Sequence, residues 1–191
     1  MKIIEKAFSR DEIVCPWWLC FTFDNPVRGL IQNPYRILKD YVKSGDSILD
    51  IGPGMGFFTF PMSRITGPEG NVTALDIQEE MLIRLERKII NKKAKNVKTK
   101  LYDGDRFGLE DKYDFILLFW MYHEVRNKKM FTGEIEAVMK PGARLFIAEP
   151  GIHVSLKKYY ESLKLFTDAG FKVIDEPEVP LSRASVLEVK I

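Results

Sequence analysis

From residue 47 onward, apolar positions recur in two rhythms that alternate along the chain. Residues 47–51 form a short apolar run that leads into glycines, the mark of a strand buried on both faces. Residues 57–65 read as a helix that Gly67 and Pro68 stop. Residues 71–76 predict a second strand, 78–93 a second helix, and 97–101, with strict alternation, a third strand. The run 115–119 is apolar throughout and predicts a fourth, central strand. Across 128–139, Met130, Phe131, Ile135, Val138 and Met139 fall on one helical face that ends before Pro141 and Gly142, and 144–148 predicts a fifth strand.

Strands separated by helices run parallel and are joined by right-handed crossovers, which gives an α/β fold of three layers, doubly wound, with helices on both faces. The C-terminal third departs from this. After a helix from the N-cap Ser155 to residue 168, stopped by Gly170, come two strand-like runs at 171–174 and 185–191. No helix fits between them, so they pair antiparallel as a hairpin at the sheet edge, completing a mostly parallel seven-stranded sheet. Residues 1–45 differ in kind. They concentrate Phe8, Trp17, Trp18, Phe21, Phe23 and Tyr35, and a helix starting at Pro34 would turn Ile37, Leu38, Tyr41 and Val42 inward. This segment is either an extra helical layer or a lid, beside a domain spanning 46–191.

The chain has 191 residues, 46% hydrophobic and 29% charged, and a formal charge of +2. That balance describes one soluble globular domain and argues against nucleic acid as an obligatory partner. No stretch approaches the ~20 apolar residues of a membrane span, and the first residues lack a signal-peptide pattern, so no membrane association and a cytoplasmic location are expected. Cys15 and Cys20 read as buried reduced thiols. Between 84 and 100, eight Lys and Arg residues are opposed only by Glu86. Met81, Leu82, Leu85, Ile89 and Ile90 recur there at helical spacing, so the run reads as the solvated face of an amphipathic helix, with an RNA-binding patch as the alternative.

In an open parallel sheet, ligands bind outside the carboxyl ends of the strands where the order reverses. The turn after the first strand is Asp50-Ile51-Gly52-Pro53-Gly54-Met55-Gly56. Its spacing is G-x-G-x-G, and Phe57 stands where the dinucleotide pattern requires the third glycine. Asp50 would oppose a phosphate but suits the positive charge of an amino acid or sulfonium. Asp76, ending the second strand, can accept from both hydroxyls of a ribose, and Ile77 can pack on an adenine face. Asp103, followed by Gly104, is placed to accept from an adenine amino group, with Asp105 a near-equal candidate.

These segments, followed by Met139-Lys140-Pro141-Gly142 before a strand, resemble the successive motifs of the Rossmann-like, class I S-adenosylmethionine-dependent methyltransferases over residues 45–191. Ala143 departs from a commonly glycine position. The resemblance implies that Asp50, Gly52, Pro53, Gly54 and Gly56 hold the methionine moiety of S-adenosyl-L-methionine. It implies further that Asp76 holds the ribose and that Ile77, Asp103 and Gly104 hold the adenine. Trp120 joins this cofactor set.

The fourth strand delivers Phe119-Trp120-Met121-Tyr122-His123-Glu124-Val125 to the same edge, without the Pro-Pro tetrad of amino-methylating DNA enzymes. The loop resembles that of small-molecule methyltransferases carrying a His here, which implies His123 as a base for a hydroxyl, with Glu124 as a second polar group; a loop-bracing His123 is the alternative. Glu149 and His153 follow the fifth strand, so Tyr122, His123, Glu149 and His153 could share a cleft. Methyl transfer needs no metal, and none is expected. The reading is a methyltransferase for a small-molecule acceptor, methylated on O, N or C. Its rivals are an RNA or protein methyltransferase, a non-catalytic S-adenosylmethionine-binding or regulatory protein, and an NAD-dependent oxidoreductase.

Overall fold

A computed structural model describes residues 26–104 and 106–189. Both cysteines, the aromatic stretch with Trp17, Trp18 and Phe21, and Asp105 lie outside them. Two short helices, α1 (Pro26–Ile31) and α2 (Pro34–Leu38), lead into β1 (Ser47–Ile51), α3 (Thr59–Thr66), β2 (Asn71–Asp76), α4 (Glu79–Lys92) and β3 (Val97–Leu101). Then follow β4 (Tyr113–Phe119), a 3-10 turn (Tyr122–Glu124), α5 (Lys128–Val138), β5 (Met139–Pro150), α6 (Leu156–Asp168), β6 (Phe171–Asp175) and β7 (Ser182–Val189).

The seven strands form one sheet in the order β3-β2-β1-β4-β5-β7-β6. The first five are parallel, and β7 runs antiparallel to both neighbours. The predicted hairpin forms, with β6 as the edge and β7 inserted beside β5. Consecutive strand residues alternate between two cores, as the period of two requires. Ile48, Phe115, Leu117 and Phe146 pack with Leu38, Phe58 and Met62 on one face. Leu49, Ile116, Leu118 and Leu145 pack with Phe131, Ile135, Leu163 and Phe166 on the other. The order reverses between β1 and β4, which opens the crevice there.

Element boundaries depart from the pattern where polar residues or turns carry the backbone. Helix α3 starts at Thr59 because the glycine turn runs on through Phe58. β4 begins two residues early, at Tyr113, since the Asp114 carboxylate accepts from the Ser47 amide at 2.8 Å and Lys140 at 2.6 Å, which lets a charge sit in the ladder. β5 follows α5 with no loop. Pro141 and Gly142 are absorbed as an irregularity where Tyr113 and Phe115 face Met139 and Arg144, with Gly142 at φ +73°. Helix α2 is one turn long, capped by Asn33, and buries Leu38 and nearby Val42 while Ile37 stays half-buried. Tyr41 turns outward enough for its hydroxyl to donate to Asp175 at 2.6 Å.

Helix α4 buries Met81, Leu82 and Leu85, but Ile90 is exposed, one position beyond the apolar stripe. The β3–β4 connection has no helix among its described residues. Phe107, fully buried, fills the layer there against Tyr102 and Phe131, with its amide bonded to Glu134 at 2.9 Å. No described helix is long and apolar enough to cross a membrane.

Candidate active site

β1 ends on a turn that only glycine builds cheaply. Gly52, Gly54 and Gly56 have φ of +70°, +54° and +86°, a region that costs residues with a Cβ free energy. Space is short at two of them. A Cβ on Gly52 would stand 3.0 Å from Met121 Cβ, and one on Gly56 would stand 2.5 Å from the Phe60 ring and 2.8 Å from Leu85. At Gly54 the nearest atom is 3.8 Å away, so there the backbone conformation alone requires glycine. The turn is closed internally by the Gly56 amide donating to the Pro53 carbonyl at 3.0 Å, and tied down from outside by the Gly52 amide donating to Leu75 at 2.9 Å and Lys88 from α4 to the Met55 carbonyl at 3.0 Å. One lysine of the basic run therefore has an internal role.

Two carboxylates flank the turn. Asp50 is 2% exposed and accepts from the Thr59 hydroxyl at 2.5 Å. Burial pushes its pKa up to about 7, with a further push from nearby Asp76. Asp76 is 7% exposed and accepts from the Gln78 amide at 2.9 Å, and burial raises its pKa to about 6. Among the described residues no ion pair neutralises either one. Ile77, beside Asp76, is an exposed apolar platform. Asp103 and Gly104 are exposed on the loop after β3, where Asp103 accepts from the Arg106 amide at 3.1 Å and Gly104 has φ +96° with open space around it.

The other flank is built by β4, β5 and β7. Trp120 leaves β4 with φ +61°, its amide bonded to Ala148 at 2.8 Å and its indole to the Ser182 hydroxyl at 2.8 Å. Arg28 of α1 lies between Phe57 and Trp120, 4.3 and 4.5 Å from the ring centroids. One turn on, fully buried Gln32 donates to the Pro180 carbonyl at 2.6 Å. The 3-10 turn then brings His123 onto Glu149 at the end of β5. One carboxylate oxygen accepts the His123 amide at 3.0 Å and the other lies 2.5 Å from Nδ1. Burial alone would lower the His123 pKa, but Glu149, and more weakly Glu124, carry it above the ordinary value. Nε2 is 3.8 Å from Glu124.

The expected four-residue cleft does not form. Tyr122 is fully buried among Phe131 and Phe166, its hydroxyl 3.1 Å from Thr132, because the turn rolls it into the core. His153 sits exposed on the turn before α6, where its amide donates to the Pro150 carbonyl. Among the described residues no group of three or more His, Cys, Asp or Glu could hold a metal. Sequence reading placed Glu149 at this edge without pairing it to His123, and missed Arg28 and Gln32. The signal for Glu149 was a charged residue closing an otherwise apolar strand.

A family model for the methyltransferase domain matches residues 42–174, well over half of the chain. The sheet order, the antiparallel β7 and the glycine turn at the switch point accord with it. The chain belongs to the class I S-adenosylmethionine-dependent methyltransferases. The crystal structure of a SAM dependent methyltransferase from Aquifex aeolicus superposes with a TM-score of 0.85 at 27% identity, covering 93% of this chain and 100% of that one. Aeropyrum pernix fibrillarin, determined with natively bound S-adenosyl-L-methionine, shares the fold at a TM-score of 0.64 and 19% identity, over 81% and 76% of the two chains. In sequence, this methyltransferase is 36% identical over 123 residues to the ubiquinone/menaquinone biosynthesis C-methyltransferase UbiE of Saccharophagus degradans, covering 60% of this chain and 49% of the relative. It is 30% identical over 142 residues to UbiE of Burkholderia mallei, covering 73% and 56%. It thus spans about half the length of the curated relatives it matches.

The residues around the turn suit the family's cofactor. The Gly52 Cα packs closely against Met121, so a side chain there would push on the end of β4. Among the described residues the two buried carboxylates have no cationic partner, and a sulfonium, an ammonium and a ribose diol are groups complementary to them.

Proposed function

We propose that the protein transfers a methyl group from S-adenosyl-L-methionine to a small-molecule acceptor. The observation that carries the reading is the pair of buried, unneutralised carboxylates on adjacent strands, Asp50 and Asp76, on either side of a positive-φ glycine turn. Asp50 and the 52–56 turn, through Gly52, Pro53, Gly54 and Gly56, hold the methionine moiety. Asp76 accepts from the ribose hydroxyls, Ile77 covers one adenine face, and Asp103 with Gly104 borders its edge. Trp120 closes the methionine end. The cofactor supplies an activated methyl carbon on a positively charged sulfur. The protein's own contribution is alignment, since holding reactants within about 3–3.5 Å removes much of the entropic barrier.

His123 and Glu124 face the acceptor. Kinship with UbiE favours a small molecule and makes carbon methylation the first possibility to test. Residues 1–45 act as a cap on the domain from 46 onward, a reading supported by a family match that begins at residue 42 and by the contacts of α1 with Phe57, Trp120 and Pro180.

Calorimetric titration with S-adenosylhomocysteine, S-adenosylmethionine and NAD, followed by a methyl-transfer screen over metabolites, proteins and tRNA, tests this. Binding of both nucleosides, none of NAD, and transfer to a metabolite are expected. Transfer only to tRNA or protein would replace the acceptor class. Nucleoside binding without transfer to any class would leave a binding protein.

A further inference from the structure

The His123–Glu149 contact uses a whole buried carboxylate on one residue. Glu149 is 1% exposed, and its two oxygens take the His123 amide and the Nδ1 side of its ring. A carboxylate buried opposite an arginine in an antiparallel ladder would be expected to pair with it. Arg183 is that opposite residue. Its guanidinium turns away instead and donates to the carbonyls of Gly151 at 3.2 Å and Val154 at 2.7 Å. The Glu149 charge is thereby left aimed at the imidazole.

We infer that Glu149 is a positioning residue that fixes His123 with its proton on Nδ1 and a bare lone pair on Nε2, so that the acceptor is a compound whose reacting atom must lose a proton, such as a hydroxyl. The acceptor half of this inference rests on the methyltransferase reading above. With Nδ1–H committed to Glu149, Nε2 is the only ring atom left to accept. The His123 side chain keeps 28% exposure, and Glu124, at 3.8 Å from Nε2, is beyond hydrogen-bond distance. The O–H proton passes to Nε2, giving an imidazolium held against the Glu149 carboxylate, and leaves to water by the exposed ring edge. The charged groups facing the ring are Glu149 from β5, Glu124 on its own turn and Lys128 from α5. The two acids favour the imidazolium and the lysine opposes it.

The chain has two histidines, which makes the ring directly readable. Nitrogen-15 spectra of the full-length protein, assigned by removing His153 with His153→Gln, should show neutral His123 as the Nδ1–H tautomer, titrating above the ordinary imidazole range. Glu149→Gln, nearly isosteric, should lower that titration by on the order of one pH unit. With the acceptor found by the screen, it should lower kcat by ~10-fold or more, leave the KM for S-adenosylmethionine unchanged, and move the acidic limb of the pH–rate profile to lower pH. An Nε2–H tautomer in the parent protein overturns the inference even if Glu149→Gln does not fold. So does an unchanged titration in a folded variant. Titrating the same samples with S-adenosylhomocysteine separates the two readings: the expected tautomer without nucleoside binding removes the proposed function and keeps the Glu149 role, and binding with the wrong tautomer does the reverse.

Discussion

The two flanks of the switch point are made differently. On the β1–β2 side, Asp50, the glycines and Asp76 come from two strand ends and the turn after the first, and the two carboxylates take their side-chain hydrogen bonds from Thr59 and Gln78, nine and two residues away. On the β4–β5 side, His123 needs Glu149 from 26 residues away, and Trp120 needs Ser182 from 62 residues away. Binding a nucleoside shared by a whole family takes a fixed local shape. Recognising an acceptor takes side chains gathered by the tertiary fold, which can be exchanged separately. The first flank should therefore govern affinity and the second rate.

The sharpest way to break that division is Asp76→Ala. If two ribose hydroxyls lose a charged acceptor at ~1.5–3 kcal/mol each, S-adenosylhomocysteine affinity falls roughly 10²- to 10⁴-fold. Thermal unfolding should stay level or improve, because a buried unneutralised anion is removed. Unchanged affinity in the folded variant would end the ribose assignment.

Within the same flank, two valines should separate architecture from ligand contact. Gly56→Val collides with Phe60 and Leu85 at an unfavourable φ and should cost about 2–5 kcal/mol in urea unfolding. Gly54→Val has room, so it should cost only the ~1–3 kcal/mol of backbone strain while removing nucleoside binding. Equal losses of stability would erase the distinction.

Across the crevice, His123→Ala should slow transfer by ~10²-fold at saturating acceptor and leave S-adenosylhomocysteine affinity as it was. A loss of affinity instead would merge the two flanks.

The smallest effect is protonic. Asp50 and Asp76 have folded-state pKa values of about 7 and about 6, above their unfolded range. Each ionised carboxylate therefore destabilises the unliganded fold above those values. As pH falls through about 7 and then about 6, the folded state takes up protons first and unliganded stability rises, until the unfolded chain protonates near ~4. The cationic end of the ligand needs Asp50 ionised and the ribose hydroxyls need Asp76 ionised, so affinity should weaken by up to ~10-fold per unit below about pH 7 for Asp50 and below about pH 6 for Asp76. Calorimetry in buffers of different ionisation enthalpy should record proton release on binding; uptake would contradict the assignment.

The contrast between the flanks also explains what was legible in the sequence. β2 and β3 matched their predicted bounds residue for residue, β2 as a run buried at five consecutive positions and β3 as a strand whose two lysines both face outward. The hairpin was legible from the lack of room for a helix between its strands. The starts of β4 and β5 were not, since Asp114 and Pro141 look like interruptions until Ser47, Lys140 and the register shift absorb them. On the β1–β2 side, spacing alone brought Asp50, the glycines, Asp76 and Ile77 to one edge. On the β4–β5 side, it placed His123 and Glu149 at that edge but misjudged Tyr122, whose direction depends on how a single 3-10 turn rolls. Arg28 and Gln32 were illegible because their partners come from three other elements.

Helix α1 carries a consequence of its own. Six residues cannot sustain a helix in water, so its hydrogen bonds persist only while the helix is docked. Its docking runs through Arg28, held between two rings, and Gln32, bound to the carbonyl before Leu181. Amide hydrogens of α1 should then exchange with solvent through release of those contacts, long before the strands open, and their exchange rate becomes a clock for how often the β6–β7 connection and the end of β4 let go of each other's shared neighbour.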